Sequence, residues 1–168
     1  MEKCENPNKN GLKQGRHVPC LEGDRMKCMD ITEQAEAELG TECVIQMPLG
    51  LLGFERFKRF VLTANPGEEP FLRLRSAEDP NLAFLVLSPF VVVPDYQADL
   101  APEDVEFLGL QSSAELLVFN IVTTRGAQAT INLKGPIALN RNSLVAKQII
   151  PLNAPGLSVA HPLPLQSN

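Results

Sequence analysis

The segment from residue 70 to residue 90, PFLRLRSAEDPNLAFLVLSPF, constrains the fold more than any other, because it holds two unlike strands joined by a compact acidic turn. Over residues 71–75, Leu72 and Leu74 fall on one face and Arg73 and Arg75 on the other. That is the period-2 pattern of a strand with one face buried and one wet. Residues 76–81 supply Ser, Glu, Asp, Pro and Asn, which turns favour because these side chains bond nearby backbone or pre-set its dihedrals. Residues 83–87 are apolar without a break, as in a strand covered on both faces. The segment reads as a half-wet strand paired to a core strand, with charge gathered at the corner. Nothing in it is equipped for catalysis.

The rest of the chain repeats the theme. Strand patterns fall at 42–46, 59–63, 71–75, 82–87, 114–124 (the longest), 128–133, 137–140 and 147–150, separated by Gly, Pro and polar turns. An edge strand is expected near Ile31, residues 35–39 fit a strand or a helical turn, 48–53 read as a turn-rich hinge, and 54–57 as a single helical turn. One good helix is expected at 102–108. Pro102 takes its first position, Glu103, Asp104 and Glu106 fall where the dipole favours acids, and Gly109 stops it. Val105 and Leu108, three apart, give it one docking face. The pattern predicts an all-β, mainly antiparallel domain, a small barrel-like or sandwich fold with one short helix.

At 168 residues the chain can bury a core without disulfides or metal. Residues 1–27, rich in Lys, Asn, Gly and Glu and poor in apolar side chains, are expected to be a disordered extension, with Met26 a second candidate start. Residues 28–163 read as a single β-rich domain, the Pro-rich stretch after Asn153 as extended chain, and 164–168 as a flexible tail.

The net charge of -5 is unevenly divided. Six basic and four acidic residues give the first 27 residues +2, while nine basic and sixteen acidic residues give the remainder -7. So acidic a body is a poor nucleic-acid binder, since phosphate contacts need clustered Lys and Arg. It is suited to a basic protein partner, although charge also serves solubility alone. No apolar run reaches the roughly 18–20 residues of a membrane span, and the polar N-terminus lacks the apolar core of a secretory signal. The expectation is a cytoplasmic protein, monomeric alone, with reduced cysteines.

The candidates for chemistry are few. The two histidines, His17 and His161, lie near opposite ends of the chain. The acids fall in turns and at a helix start, where they are expected to be solvated and unsuited to acid–base work. Ser112, Ser113 and Ser143 have no nucleophile-elbow pattern, and Gly50-x-x-Gly53 is too short for a phosphate loop. Cys4, Cys20, Cys28 and Cys43 are sixteen, eight and fifteen residues apart, without the close pair that zinc sites use. We expect no catalytic residue, no cofactor and no metal, and therefore not an enzyme.

Three segments together are more specific. They are Met47-Pro48-Leu49-Gly50-Leu51-Leu52-Gly53-Phe54-Glu55, then Leu74-Arg75-Ser76 followed by Pro80-Asn81-Leu82-Ala83-Phe84, and Thr130-Ile131-Asn132-Leu133-Lys134-Gly135-Pro136-Ile137 followed by Lys147-Gln148. In this order and spacing the chain resembles the flagellar assembly factor FliW family over roughly residues 29–163. It departs from the family pattern at Leu52, where Pro is usual, and near Leu157 and Val159, where an aromatic residue is common. The motif positions Gly50, Gly53, Phe54, Glu55, Ser76, Phe84, Asn132, Pro136 and Gln148 also have plain structural readings. The glycines would serve positive-φ turns, Phe54 would plug the core, Asn132 would bond backbone, and Pro136 would protect an edge.

The resemblance implies a non-enzymatic regulator that binds the RNA-binding translational repressor CsrA and also flagellin. Free of flagellin it would antagonise CsrA, allosterically, and flagellin mRNA would be translated. Among the residues, the acidic corners Glu68-Glu69 and Glu78-Asp79, with Pro80 and Asn81, are the candidates for the CsrA surface, a solvated rim being the plain alternative. Phe90 and Val92, in the run bounded by Pro89 and Pro94, are the candidates for a groove taking an amphipathic flagellin helix, a buried strand being the alternative. A β-barrel enclosing a small apolar ligand and a hydrolase with misread acids are the other function classes.

Overall fold

A computed structural model describes residues 42–164. The expectations for residues 1–27, the strand near Ile31, the ambiguous 35–39 and the last four residues lie outside them. The chain forms β1 (Glu42–Gln46), β2 (Arg59–Ala64), β3 (Phe71–Ser76), β4 (Ala83–Leu87), α1 (Pro102–Leu108), β5 (Leu116–Arg125), β6 (Gln128–Ile131), β7 (Ile137–Asn140), β8 (Ala146–Gln148) and β9 (His161–Leu163). Short 3-10 turns occur at Pro89–Val91, Ser113–Glu115 and Ala154–Gly156.

All the ladders are antiparallel, in the order β1-β2-β3-β4-β5-β6-β9. The long β5 serves two neighbours along one edge. Val122 to Arg125 pair with β6, and Leu116 to Phe119 pair with β7, which carries β8. The sheet thus forks at Asn120-Ile121, and the principal core fills the space between the β1–β4 ladder and the β7–β8 arm. Phe60, Met47, Leu51, Leu74, Leu117 and Leu139 are among its fully buried members. A second cluster, around Tyr96, Val118, Val122 and Ile131, packs under the β4–β5 crossover.

The alternation read in the sequence is the pleat. Leu72, Leu74 and Ser76 are buried while Arg73 and Arg75 are exposed, and Cys43 and Ile45 alternate likewise with Glu42, Val44 and Gln46. The helix has the predicted bounds, with Pro102 at its start and Gly109 left-handed at φ 65° behind it. Asn140, buried in β7, donates from Nδ2 to the last helical carbonyl, Leu108 O, at 2.9 Å. That bond satisfies an orphan acceptor of the helix end.

Several expectations are corrected. The sheet is not closed into a barrel: among the described residues the link between β1 and the β8 side is the isolated parallel bridge Gln46–Val145. β4 is not covered on both faces, because Ala83 is exposed and Phe84 and Leu85 are half-buried at the wet end of the hairpin. Residues 54–57 form a hydrogen-bonded turn (Phe57 N–H to Phe54 O, 3.1 Å) and no helix. Pro89 starts a 3-10 turn where a buried strand was the alternative. The stretch after Asn153 is not merely extended, since β9 pairs with β6. Asp104 is buried rather than solvated, because Lys147 reaches it from β8.

Candidate protein-docking site

Among the described residues no three His, Cys, Asp or Glu side chains gather into a group that could hold a metal ion, and no helix is long and apolar enough to cross a membrane. Of the four cysteines the structure describes Cys43, buried on β1, where desolvation raises its pKa. His161, on β9, pairs across to Ile131.

The acidic corners sit at opposite ends of β3. Glu68 and Glu69 precede it and Glu78 and Asp79 follow it, so a six-residue strand holds the two pairs about 20 Å apart. They are not one patch. Each acid is also engaged locally. Glu68 takes both Arg73 Nη2 (2.6 Å) and Nε (2.8 Å) and accepts from Asn65 Nδ2 at 2.9 Å. The Arg73 bonds, and then the Asn65 bond, lower the Glu68 pKa to about 2. The Glu69 carboxylate accepts Gly67 N–H, and Glu78 accepts Lys58 N–H at 3.2 Å while facing Arg59 Nε at 3.4 Å.

The turn after β3 is stiff. Buried Ser76 accepts the N–H groups of Glu78 and Asp79 with its Oγ, each at 3.1 Å, and Asp79 Oδ1 accepts Asn81 N–H at 3.0 Å. Local acceptors of this kind are what turns use to fix their shape. Glu78, Pro80 and Asn81 are therefore exposed on a defined frame.

Phe90 and Val92 are half-buried. The Phe90 ring meets Tyr96 edge-on at 6.0 Å and touches both core clusters, and Val92 packs on the second. Between them Val91 is exposed. Phe90 and Val92 thus lean on the core, and Val91 faces outward from the same turn.

The first and third motif segments converge. Gly50 is at φ 72°, and a Cβ there would stand 2.6 Å from Glu55 Cα, so the loop closes on itself only with glycine. Gly53 is at φ 85°, and its N–H donates to Glu55 Oε1 at 2.7 Å, which lowers the Glu55 pKa. Phe54 does not plug the core: it is 37% exposed and packs edge-on against Phe84 at 5.1 Å. Gln148 accepts Leu52 N–H with Oε1 (3.0 Å) and donates from Nε2 to Gly135 O (3.2 Å), beside buried Pro136. Asn132 accepts Lys134 N–H with Oδ1 (3.0 Å), and its carbonyl takes the Nδ2 of fully buried Asn120. Nearby, Tyr96 donates to Leu133 O at 2.8 Å. Leu49 and Leu52 remain outside this frame, exposed.

Sequence reasoning missed the Asp104–Lys147 contact and the Tyr96–Asn120–Asn132 set. Lys147 next to the motif residue Gln148 was the available signal for the former; for the latter, an Asn amid the apolar 114–124 strand was.

A family model described as FliW protein matches residues 29–163. A flagellar assembly factor FliW of Treponema denticola is 37% identical over 115 residues, covering 67% of this chain and 78% of that protein. One from Geobacter sulfurreducens is 36% identical over 138 residues, covering 80% and 86%. A crystal structure of the flagellar assembly factor FliW superposes with a TM-score of 0.65 at 29% identity, covering 74% of this chain and 88% of that one. Matched by the family model over most of its length, and more than a third identical to such relatives, the chain belongs to the FliW family.

Proposed function

We propose that this protein is a non-enzymatic regulator of flagellar assembly that binds a CsrA-type repressor and flagellin, and that by antagonising the repressor, away from its RNA-binding surface, it makes flagellin mRNA translation follow flagellin demand. Membership of the flagellar assembly factor family carries the reading. The reading has the protein act in the cytoplasm, as a monomer when unbound, with no direct contact to RNA.

Charge supports the basic partner. Glu78, Asp79, Asp95, Asp99, Glu103, Asp104, Glu106 and Glu115 all fall between Arg75 and Arg125, with no Lys, Arg or His among them. Most of this stretch is the β4–β5 crossover, and Asp99, Glu103 and Glu106 are exposed on it. An RNA-binding repressor has to be basic, and opposite fields speed encounter and favour the right partner. The alternative, a barrel carrying a small ligand, loses its lumen, because the sheet is open and its interior is packed with side chains.

The test is a titration of purified CsrA-type protein with this chain, followed by flagellin as competitor. Saturable binding that weakens with salt and is reversed by flagellin is expected. Absence of binding to either protein at micromolar concentration overturns the reading. Charge reversal at Glu78 and Asp79, and separately at Glu103 and Glu106, then tells which acidic face the repressor meets.

A further inference from the structure

Between β1 and β8 the molecule has a seam. On one side β1 runs into the 47–53 loop, and on the other lie Leu144, Val145 and β8. The two approach in the parallel sense of the Gln46–Val145 bridge, yet no ladder forms. At the bridge Gln46 N–H donates to Leu144 O at 2.8 Å, and beyond it the 47–53 loop is tied to β8 by a side chain, Gln148 Oε1 accepting Leu52 N–H. On its other edge, by contrast, β1 pairs all five of its residues with β2.

The two ties differ in kind. Leu144 holds its carbonyl toward Gln46 from φ 58°, a left-handed conformation that L side chains disfavour. Gln148 bonds at both ends of one amide: Gly135 O can only accept and Leu52 N–H can only donate, so the amide oxygen has to face the loop. A Cβ on Gly135 would stand 3.2 Å from Gln148 Nε2 and 3.3 Å from Asn132 Nδ2, so the glycine leaves the room this clamp occupies. Beneath the loop Met47 and Leu51 are fully buried, while Leu49 and Leu52 on its outside are exposed.

We infer that the seam between the 47–53 loop and β8 is a built-in opening line, latched by the Gln148 side chain. Released, the loop lifts away as a unit while β2 to β5 stay folded. Lifting uncovers Met47 and Leu51 beside Leu49 and Leu52 and makes one continuous apolar surface. The inference stands apart from the repressor and flagellin reading, since it concerns the free protein.

Native-state hydrogen exchange on the full chain tests it. Local opening exchanges amides with little dependence on denaturant, whereas global unfolding exchanges them with a steep dependence. The Leu52 amide is expected to show a shallow slope, and the amides of Leu62 and Leu74, inside the β2–β3 ladder, a steep one. Gln148→Ala is expected to speed Leu52 exchange by about tenfold or more, leaving Leu62 and Leu74 within about threefold. Gln148→Glu keeps an acceptor for Leu52 but cannot donate to Gly135, and should fall between. A Leu52 slope equal to that of Leu62 overturns the inference, with or without a folded variant. So does a Leu52 rate unchanged by Gln148→Ala.

Discussion

The ammonium of Lys147, on β8, lies 2.6 Å from Oδ1 of Asp104 in the first turn of α1, with the Phe107 ring centroid 5.1 Å from the same nitrogen. Both side chains are largely sheltered, at 23% and 11% exposure. The helix is thereby held to the arm of the sheet that also carries Gln148. Removing one member of a sheltered ion pair leaves the other desolvated and alone, and this costs more than the intact pair contributes. Lys147→Met is expected to lower unfolding free energy by about 2 kcal/mol, below the range for fully buried pairs because Lys147 keeps some contact with water. Adding Asp104→Leu should restore most of it. Urea unfolding of the two singles and the double closes the cycle, and fully additive losses would deny the coupling.

How far the sequence disclosed this molecule depended on the range of the interaction. The bounds of α1 were legible because Pro102, its early acids and Gly109 act within one or two turns. β3 was legible because its alternation is a property of neighbouring residues, whereas the wet end of β4 was not. The fork in β5 was not, since a continuous run from Leu116 to Arg125 does not reveal that one edge serves two partners. Nor was the buried state of Asp104, which depends on a lysine 43 residues away. For the docking candidates, the composition of the acidic corners was plain. Their separation across β3 and the commitment of Glu68 to Arg73 emerged only with the pairing register.

Gly50 and Gly53 share a left-handed backbone but differ in surroundings. At Gly50 an added Cβ meets Glu55 main-chain atoms at 2.6 to 2.9 Å, and main chain cannot swing aside; at Gly53 it meets nothing within 4 Å. Gly53→Ala carries only the conformational penalty, about 1 kcal/mol, whereas Gly50→Ala has also to displace the loop and should cost about 3 kcal/mol or more. Thermal or urea unfolding of the two variants measures the difference. Equal losses would mean that the loop relaxes freely around residue 50.

The Glu68–Arg73 pair gives a pH signature. Its bonds to Arg73, and then to Asn65, hold the Glu68 carboxyl at about 2 instead of 4.5. A carboxyl with a depressed folded-state pKa adds stability that is complete above its unfolded value and fades as pH falls through the folded one. The contribution should therefore be present above about pH 5 and be lost between about pH 4.5 and pH 2. Glu68→Gln should flatten the acid limb of the melting-temperature profile in that window and leave the neutral limb parallel to wild type. Because both side chains are well exposed, added salt should shrink the effect. An acid limb identical in the two proteins would show that the contact contributes nothing in solution.

Phe90 and Val91 are adjacent in one 3-10 turn yet belong to different energetic classes. The Phe90 ring touches both core clusters and meets Tyr96 edge-on, whereas Val91 is 40% exposed. Phe90→Ala removes a largely packed ring and leaves a gap above Tyr96, and is expected to cost about 2–3 kcal/mol, somewhat less than for a fully buried ring. Val91→Ser should stay within about 0.5 kcal/mol of wild type. Flagellin binding measured on both variants then separates a contact from a support. If the turn is a flagellin contact, Val91→Ser weakens binding while the melting temperature holds. If only Phe90→Ala weakens it, and in step with lost stability, the turn serves the fold and flagellin docks elsewhere.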